Sequence, residues 1–184
     1  MSLNTLGKFY FQSGKLQMAE AFFTKALKIY RNLWGENHFD IENSLQNLGR
    51  LYRDMGNFPK AEEFYLKALK IRLNLLGQKH LNVAVTLSTL GDIYEKMENL
   101  QKAEEFCLKS LKISQNLFDE NQCDGQFYEK SLIFSKTILG ENLCDIPMLF
   151  KRLGRIYYKM GNIPKAEEFY SKTLEACQNF NWKK

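Results

Sequence analysis

Apolar side chains recur along this chain at the three-to-four-residue spacing that places them on one face of a helix. Ile41, Leu45, Leu48, Leu51, Tyr52 and Met55 form one such stripe; Ala61, Phe64, Tyr65, Ala68, Leu69, Ile71 and Leu75 form the next. Between them, Met55-Gly56-Asn57-Phe58-Pro59 reads as a stop and a restart. Gly56 suits the left-handed residue after a helix end, and Pro59 suits a first helical turn, where a missing N–H loses no hydrogen bond. The pattern predicts two helices folded back on each other. Asp40, Asn82, Asp124 and Asp145 fall where a following helix would start, and their short polar side chains are expected to cap it.

The hairpin repeats. Leu6-Gly7, Leu48-Gly49 and Leu90-Gly91 are spaced 42 residues apart, and the same offset superimposes Asn32-Leu33-Trp34-Gly35 on Asn74-Leu75-Leu76-Gly77. Lys60-Ala61-Glu62-Glu63-Phe64 recurs from Lys102 to Phe106 and from Lys165 to Phe169. The last step, from Leu90-Gly91 to Leu153-Gly154, is 63 residues, one and a half units. A single hairpin cannot bury both of its stripes, whereas a stack of hairpins can. The expected organisation is one solenoid over 1–184, with hairpins at 1–36, 40–77, 82–119 and 145–181. An extra unpaired helix is expected at 126–139; it either lies outside the stack or, the favoured placement, is inserted between the third and fourth hairpins.

Small residues recur where the helices of a hairpin must touch: Gly7, Gly49, Gly91 and Gly154 in the first helix, Ala19, Ala61, Ala103 and Ala166 in the second. A mid-helix glycine costs ~1 kcal/mol relative to alanine, so close backbone approach is the expected compensation. Tyr10, Tyr52, Tyr94 and Tyr157, one turn further on, are expected to fill the space beneath.

The order Leu45, Leu48, Gly49, Tyr52, then Ala61, Tyr65 and Ala68, resembles the tetratricopeptide repeat. The 42-residue unit and the Leu76-Gly77-Gln78-Lys79-His80 loop are similar to the subtype found in kinesin light chains and nephrocystin. Two departures stand out: the loop histidine becomes Gln122 and Leu143, and the proline that usually follows it is absent. The resemblance implies an all-α fold, a right-handed α–α superhelix of about four hairpins plus the extra helix. It implies a concave groove lined by the first helix of each hairpin, which in kinesin light chains binds cargo peptides.

Composition narrows the options without changing that picture. Hydrophobic residues at 45% and charged residues at 26% exclude a disordered chain. No apolar run approaches the ~20 residues of a membrane-crossing helix, so no membrane insertion is expected. Cys107, Cys123, Cys144 and Cys177 include no C-x-x-C pair and read as free thiols, which points to a cytoplasmic setting. His38 and His80 occupy equivalent loop positions with no further ligand at metal spacing, and are expected to hydrogen-bond at the hairpin junction. Glu63, Glu105 and Glu168 precede Lys67, Lys109 and Lys172 by four residues, so the Glu-Glu pairs read as a solvated helix face rather than a catalytic dyad. No enzyme activity, metal or cofactor is expected.

Groove positions are those that escape the core stripe of each first helix. They are Asn4, Thr5, Lys8, Phe11 and Gln12; Asn43, Gln46, Asn47, Arg50, Arg53 and Asp54; Ser88, Thr89, Asp92, Glu95 and Lys96; and Lys151, Arg152, Arg155, Tyr158 and Lys159. Lys8, Arg50, Arg53, Lys96, Lys151, Arg152, Arg155 and Lys159 outnumber Asp54, Asp92 and Glu95 by five, matching the net charge of +5 for the whole chain. Arginine grips carboxylates with two prongs, asparagine can hold a peptide backbone, and Phe11 and Tyr158 are candidate aromatic anchors. The expected function is a protein-interaction scaffold that takes an extended acidic peptide. The alternative is an assembly module that stacks against other chains or itself through uncapped solenoid ends. Nucleic acid is not an expected partner.

Overall fold

The computed structural model describes residues 2–120 and 146–180, and among these it is all-helical. The helices are α1 (Leu3–Gln12), α2 (Leu16–Trp34), α3 (Phe39–Asp54), α4 (Phe58–Leu76), α5 (Leu81–Lys96), α6 (Leu100–Glu120), α7 (Ile146–Lys159) and α8 (Ile163–Phe180). They pair as hairpins α1–α2, α3–α4, α5–α6 and α7–α8. The expected helix at 126–139, with Asp124 and Asp145, lies outside the described residues. The chain divides into two compact units between Gln78 and Lys79.

In the first unit, α3 packs on both α2 and α4. Ile41, Leu45, Leu48 and Leu51 from α3 meet Ala61, Tyr65 and Ala68 from α4 in the buried core. The turn between them follows the sequence signal. Gly56 adopts φ +74°, Asn57 caps α4 by accepting from the Lys60 amide at 3.2 Å, and proline lies in the first turn. A buried ion pair, Arg72 to Glu42 at 2.6 Å, ties α4 to α3. Burial holds the Glu42 carboxyl above its ordinary range, against the pull of Arg72.

The second unit repeats the plan: α5 pairs with α6, and α7 packs on α6 and on α8. Its core holds Leu90, Ile93 and Tyr94 from α5, Ala103 and Cys107 from α6, and Leu149, Leu153 and Ile156 from α7. The Ser110 hydroxyl donates to the Ala84 carbonyl at 2.8 Å, satisfying a polar group that would otherwise be orphaned in this core.

Three local expectations are corrected. The caps of α3 and α5 are His38 and His80, not Asp40 and Asn82. Each imidazole Nδ1 accepts the backbone N–H two residues on, from Asp40 at 3.2 Å and from Asn82 at 3.1 Å. Nδ1 stands as many bonds from the backbone as the Oδ1 of an aspartate or asparagine, so a histidine at the N-cap position satisfies an orphan amide of the first turn in the same way. Secondly, the space at each core glycine is filled from the opposite helix. A Cβ on Gly49 would stand 2.9 Å from the Tyr65 ring, on Gly154 2.9 Å from the Tyr170 ring, and on Gly91 2.5 Å from Cys107 Sγ. The tyrosines one turn on stack elsewhere: Tyr10 on Phe22, Tyr52 on Phe64, Tyr94 on Phe106 and Tyr157 on Phe169, with centroids 5.2–5.4 Å apart. Lysines close those stacks from above, Lys60 over Tyr52 and Lys165 over Tyr157, both at 4.7 Å.

Thirdly, the Glu-Glu pairs divide their labour. Glu63, Glu105 and Glu168 do form the exposed pairs with Lys67, Lys109 and Lys172, at 2.5, 2.6 and 2.5 Å. In one pair the carboxylate one residue earlier, Glu104, faces a neighbouring hairpin instead, as does Glu20 at the equivalent repeat position. Glu20 of α2 accepts the hydroxyl of Tyr52 in α3, and Glu104 of α6 accepts that of Tyr157 in α7.

Candidate functional site

In the first unit the face formed by α1 and α3 collects most of the expected groove residues. Helical spacing puts Asn43, Asn47 and Arg50 on one side of α3, and Asn4, Lys8 and Phe11 follow the same rule on α1. Asn4 Nδ2 donates to Ser44 Oγ at 3.0 Å, and Ser44 in turn donates to the Asp40 carbonyl at 2.7 Å. Asn4 is thus already engaged with its neighbour helix. Phe11, half-buried, supports the Arg50 guanidinium 5.2 Å above its ring. Asn43 and Lys8 are exposed, and Gln46 is half-buried.

Two donors on this face lack partners. Asn47 Nδ2 and Arg50 Nε are both shielded from solvent, and neither has a hydrogen-bond acceptor among the described residues. They lie one helical turn apart on α3. Arg53, by contrast, is mostly buried and pairs with Asp54 at 3.1 Å. The freely presented cation expected at 53 is therefore an internally neutralised one.

In the second unit the corresponding face, from α5 and α7, is wired differently. Arg152 is buried, its Nη1 donating to the Ser88 carbonyl at 2.6 Å and to Ser88 Oγ at 3.0 Å, while Nη2 stands 3.4 Å from Asp92. Ser88 and Arg152, expected on the groove surface, are structural: Ser88 is fully buried beneath the arginine. Arg155 pairs with Glu95 at 2.6 Å, and Lys159 reaches the same carboxylate at 3.4 Å. The hydrogen bond that it donates to Glu95 holds the Arg155 guanidinium above its ordinary range. Sequence counting treated these charges as additive, but the fold cancels Asp92 and Glu95 against the arginines. Among the described residues Lys151 keeps an exposed charge without an ion pair, and Tyr158, about two turns further along α7, is 64% exposed.

The cross-hairpin Tyr–Glu bonds escaped sequence reasoning. Their signal was available: Glu20, Glu62, Glu104 and Glu167 recur in register with Tyr10, Tyr52, Tyr94 and Tyr157. Nothing in a linear repeat says that the bond joins neighbouring units rather than one unit to itself.

The described residues hold no group of three His, Cys, Asp or Glu side chains placed to bind a metal ion. No helix among them is long and apolar enough to cross a membrane.

Comparison with known proteins agrees with this architecture. No curated protein sequence matches the chain. The chain is similar in structure to BtubC (BKLC) from P. vanneervenii, with TM-score 0.81 and 24% identity over 99% of this chain. The match spans 64% of BtubC, so the chain corresponds to less than two thirds of that relative. It is also similar to a candidate kinesin light chain of Podosopora anserina built of nearly identical TPR-like repeats. There the TM-score is 0.53 at 18% identity, covering 99% of this chain and 96% of that one. Its Q17M form gives 0.54 at 17% identity, covering 97% and 94%. Tetratricopeptide-repeat family models match residues 1–74, 45–116 and 152–180. With its helical hairpins, its glycine contacts and well over half its length matched by those models, the chain belongs to the tetratricopeptide-repeat family, whose repeats serve as protein–protein interaction scaffolds and whose kinesin-light-chain-like form its fold is similar to.

Proposed function

We propose that this chain is a non-enzymatic scaffold that binds an extended, acidic peptide segment on the α1–α3 face of its first unit. The observation that carries the reading is the pair of shielded, unpartnered donors, Asn47 Nδ2 and Arg50 Nε. A buried donor left unsatisfied costs about 1–3 kcal/mol, which a ligand acceptor would recover. Asn47 suits a peptide carbonyl; Arg50, stacked on Phe11, suits a carboxylate. Lys8, exposed on α1, adds positive charge beside them. Acidity in the ligand follows from this local surplus, since Arg53 is spoken for by Asp54 and the basic groups at 152 and 155 by Asp92 and Glu95. On the second unit, Lys151 and Tyr158 offer a smaller cationic and aromatic patch. A cytoplasmic setting fits the free thiols of Cys107 and Cys177.

The test is fluorescence anisotropy with labelled acidic peptides, with and without an aromatic residue. Arg50→Glu is expected to weaken binding more than about tenfold, or 1.4 kcal/mol, with an unchanged thermal melt. Unaltered affinity in Arg50→Glu sinks the reading. Arg53→Glu is a poor probe, because it would disturb an existing pair.

A further inference from the structure

The two units carry the same arginine in opposite states. Two 42-residue steps take Phe11 of α1 onto Glu95 of α5, and a 42-residue step followed by the 63-residue one takes Arg50 of α3 onto Arg155 of α7. In the second unit the acceptor is built in. Arg155 Nε stands 2.6 Å from Glu95 Oε1, and its Nη2 donates to Oε2 at 2.7 Å, a two-pronged fork made side-on. In the first unit the same place holds an aromatic ring. Phe11, 5.2 Å from the Arg50 guanidinium carbon, supplies no carboxylate, and Arg50 Nε is left shielded and unpartnered.

The position one turn earlier differs in the same sense. Asn47 and Asn4 are the repeat counterparts of Arg152 and Ser88. Arg152 donates to the Ser88 carbonyl and hydroxyl, whereas Asn4 turns to Ser44 and Asn47 Nδ2 has no acceptor among the described residues. The second unit thus satisfies with its own side chains the donors that the first leaves open. Glu95 itself is only 4% exposed, covered by Arg155 and Lys159, which are 50% and 46% exposed and share its Oε1. Each of these contacts lies inside one unit.

We propose that Glu95 is a built-in stand-in for the ligand: it fills in the second unit the place that a glutamate or aspartate side chain of a bound peptide fills at Arg50 in the first. The assignment rests on the peptide-binding reading above and narrows it. The recognised group is a side-chain carboxylate held side-on by Arg50; a glutamine amide offers one acceptor oxygen where the fork takes two. Phe11 steadies the guanidinium without occupying its donors. Glu95 in turn closes a second site for the same class of ligand, built on Arg155 and Lys159. Asp92 does not take over that role, because it stands 3.4 Å from Arg152 as that arginine's counter-charge.

Isothermal titration calorimetry on the full 184-residue chain tests it, with a short glutamate-containing peptide and its glutamine counterpart. The wild type is expected to bind the glutamate form at least about tenfold more tightly than the glutamine form. Phe11→Glu places in the first unit the carboxylate that Glu95 places in the second, and is expected to weaken the glutamate peptide at least about tenfold. Phe11→Leu, which supplies no acceptor, is expected to lose no more than about fivefold, the worth of a surface cation–π contact. The opening arm uses Arg50→Glu, in which the first site is dead. Adding Glu95→Gln is expected to bring glutamate-peptide binding back, and adding Arg155→Ala to remove it again. Circular dichroism checks helix content in every variant, and the Phe11→Glu arm stands whether or not the second unit tolerates Glu95→Gln. A wild type that binds no acidic peptide, or an Arg50→Glu variant that binds as tightly as wild type, sinks the peptide-binding reading itself. Binding that needs Arg50 yet survives Phe11→Glu unchanged, or a folded Arg50→Glu/Glu95→Gln variant that regains nothing, overturns the role of Glu95 and leaves that reading standing.

Discussion

The Tyr52 hydroxyl of α3 donates its hydrogen bond to Glu20 of α2, joining one hairpin to the hairpin before it. Tyr157 and Glu104 do the same in the second unit. A solenoid is stabilised by interfaces between neighbouring repeats as well as by each repeat alone, so a bond at this place contributes to cooperativity. Tyr52→Phe and Glu20→Gln should each cost ~1–2 kcal/mol in urea unfolding, and the double variant less than the sum of the two. Strict additivity would mean the two side chains do not act together.

The same bond gives alkaline sensitivity. Burial, and then the Glu20 hydrogen bond, raise the Tyr52 phenol from 10.0 to about 12, and Tyr157 is raised for the same reasons with Glu104. An unfolded chain releases its phenolic protons near the ordinary value, before the folded one does. The contribution is therefore complete below about pH 10, falls as pH rises, and is lost once the folded phenols also ionise. Tyr52→Phe should flatten part of the decline in melting temperature above pH 10, as followed by circular dichroism. An identical alkaline decline in the variant would exclude Tyr52 as a cause.

Gly91 and Cys107 form a packing couple, for a Cβ at 91 would come within 2.5 Å of the thiol sulfur. Gly91→Ala gains helix propensity of ~1 kcal/mol yet should destabilise by ~1–3 kcal/mol through overpacking. Adding Cys107→Ala removes the clashing atom and should recover most of the loss. The buried thiol, pushed up to about 11 chiefly by burial, should also resist alkylation until the protein unfolds.

His80→Ala should cost ~1 kcal/mol by exposing the orphan amide of Asn82, while His80→Asn should retain most of the stability. Chemical denaturation of both variants checks the ranking; equal losses would point to ring packing rather than capping.

Arg152→Ala should behave as a core mutation. It would strand Asp92 and the Ser88 carbonyl, a loss of about 3–5 kcal/mol for a buried charge pair broken from one side. Lys151→Ala, one residue away and exposed, should leave the melting temperature within a degree or so of wild type. Similar stability in both variants would show that Arg152 is a surface group after all.

What the chain determined by itself is the repeated hairpin. Periodicity of apolar residues dictates which face of a helix is buried, and glycine, asparagine and proline at 56, 57 and 59 dictate where it turns, because those are local backbone preferences. A 42-residue offset then carries one hairpin into the next. What only the tertiary structure decided is which polar groups meet. Arg50 and Arg152 occupy equivalent-looking positions in a count of groove charges, yet one sits over Phe11 with an unpartnered nitrogen and the other is buried against Ser88 and Asp92. Glu104 and Glu105 look alike in a Glu-Glu motif, yet one reaches across to Tyr157 and the other pairs with Lys109. Hydrophobic burial depends on face, which a helix repeats every turn. Ion pairs and hydrogen bonds depend on distances of a few ångströms between separate helices, and these exist only after the helices have packed.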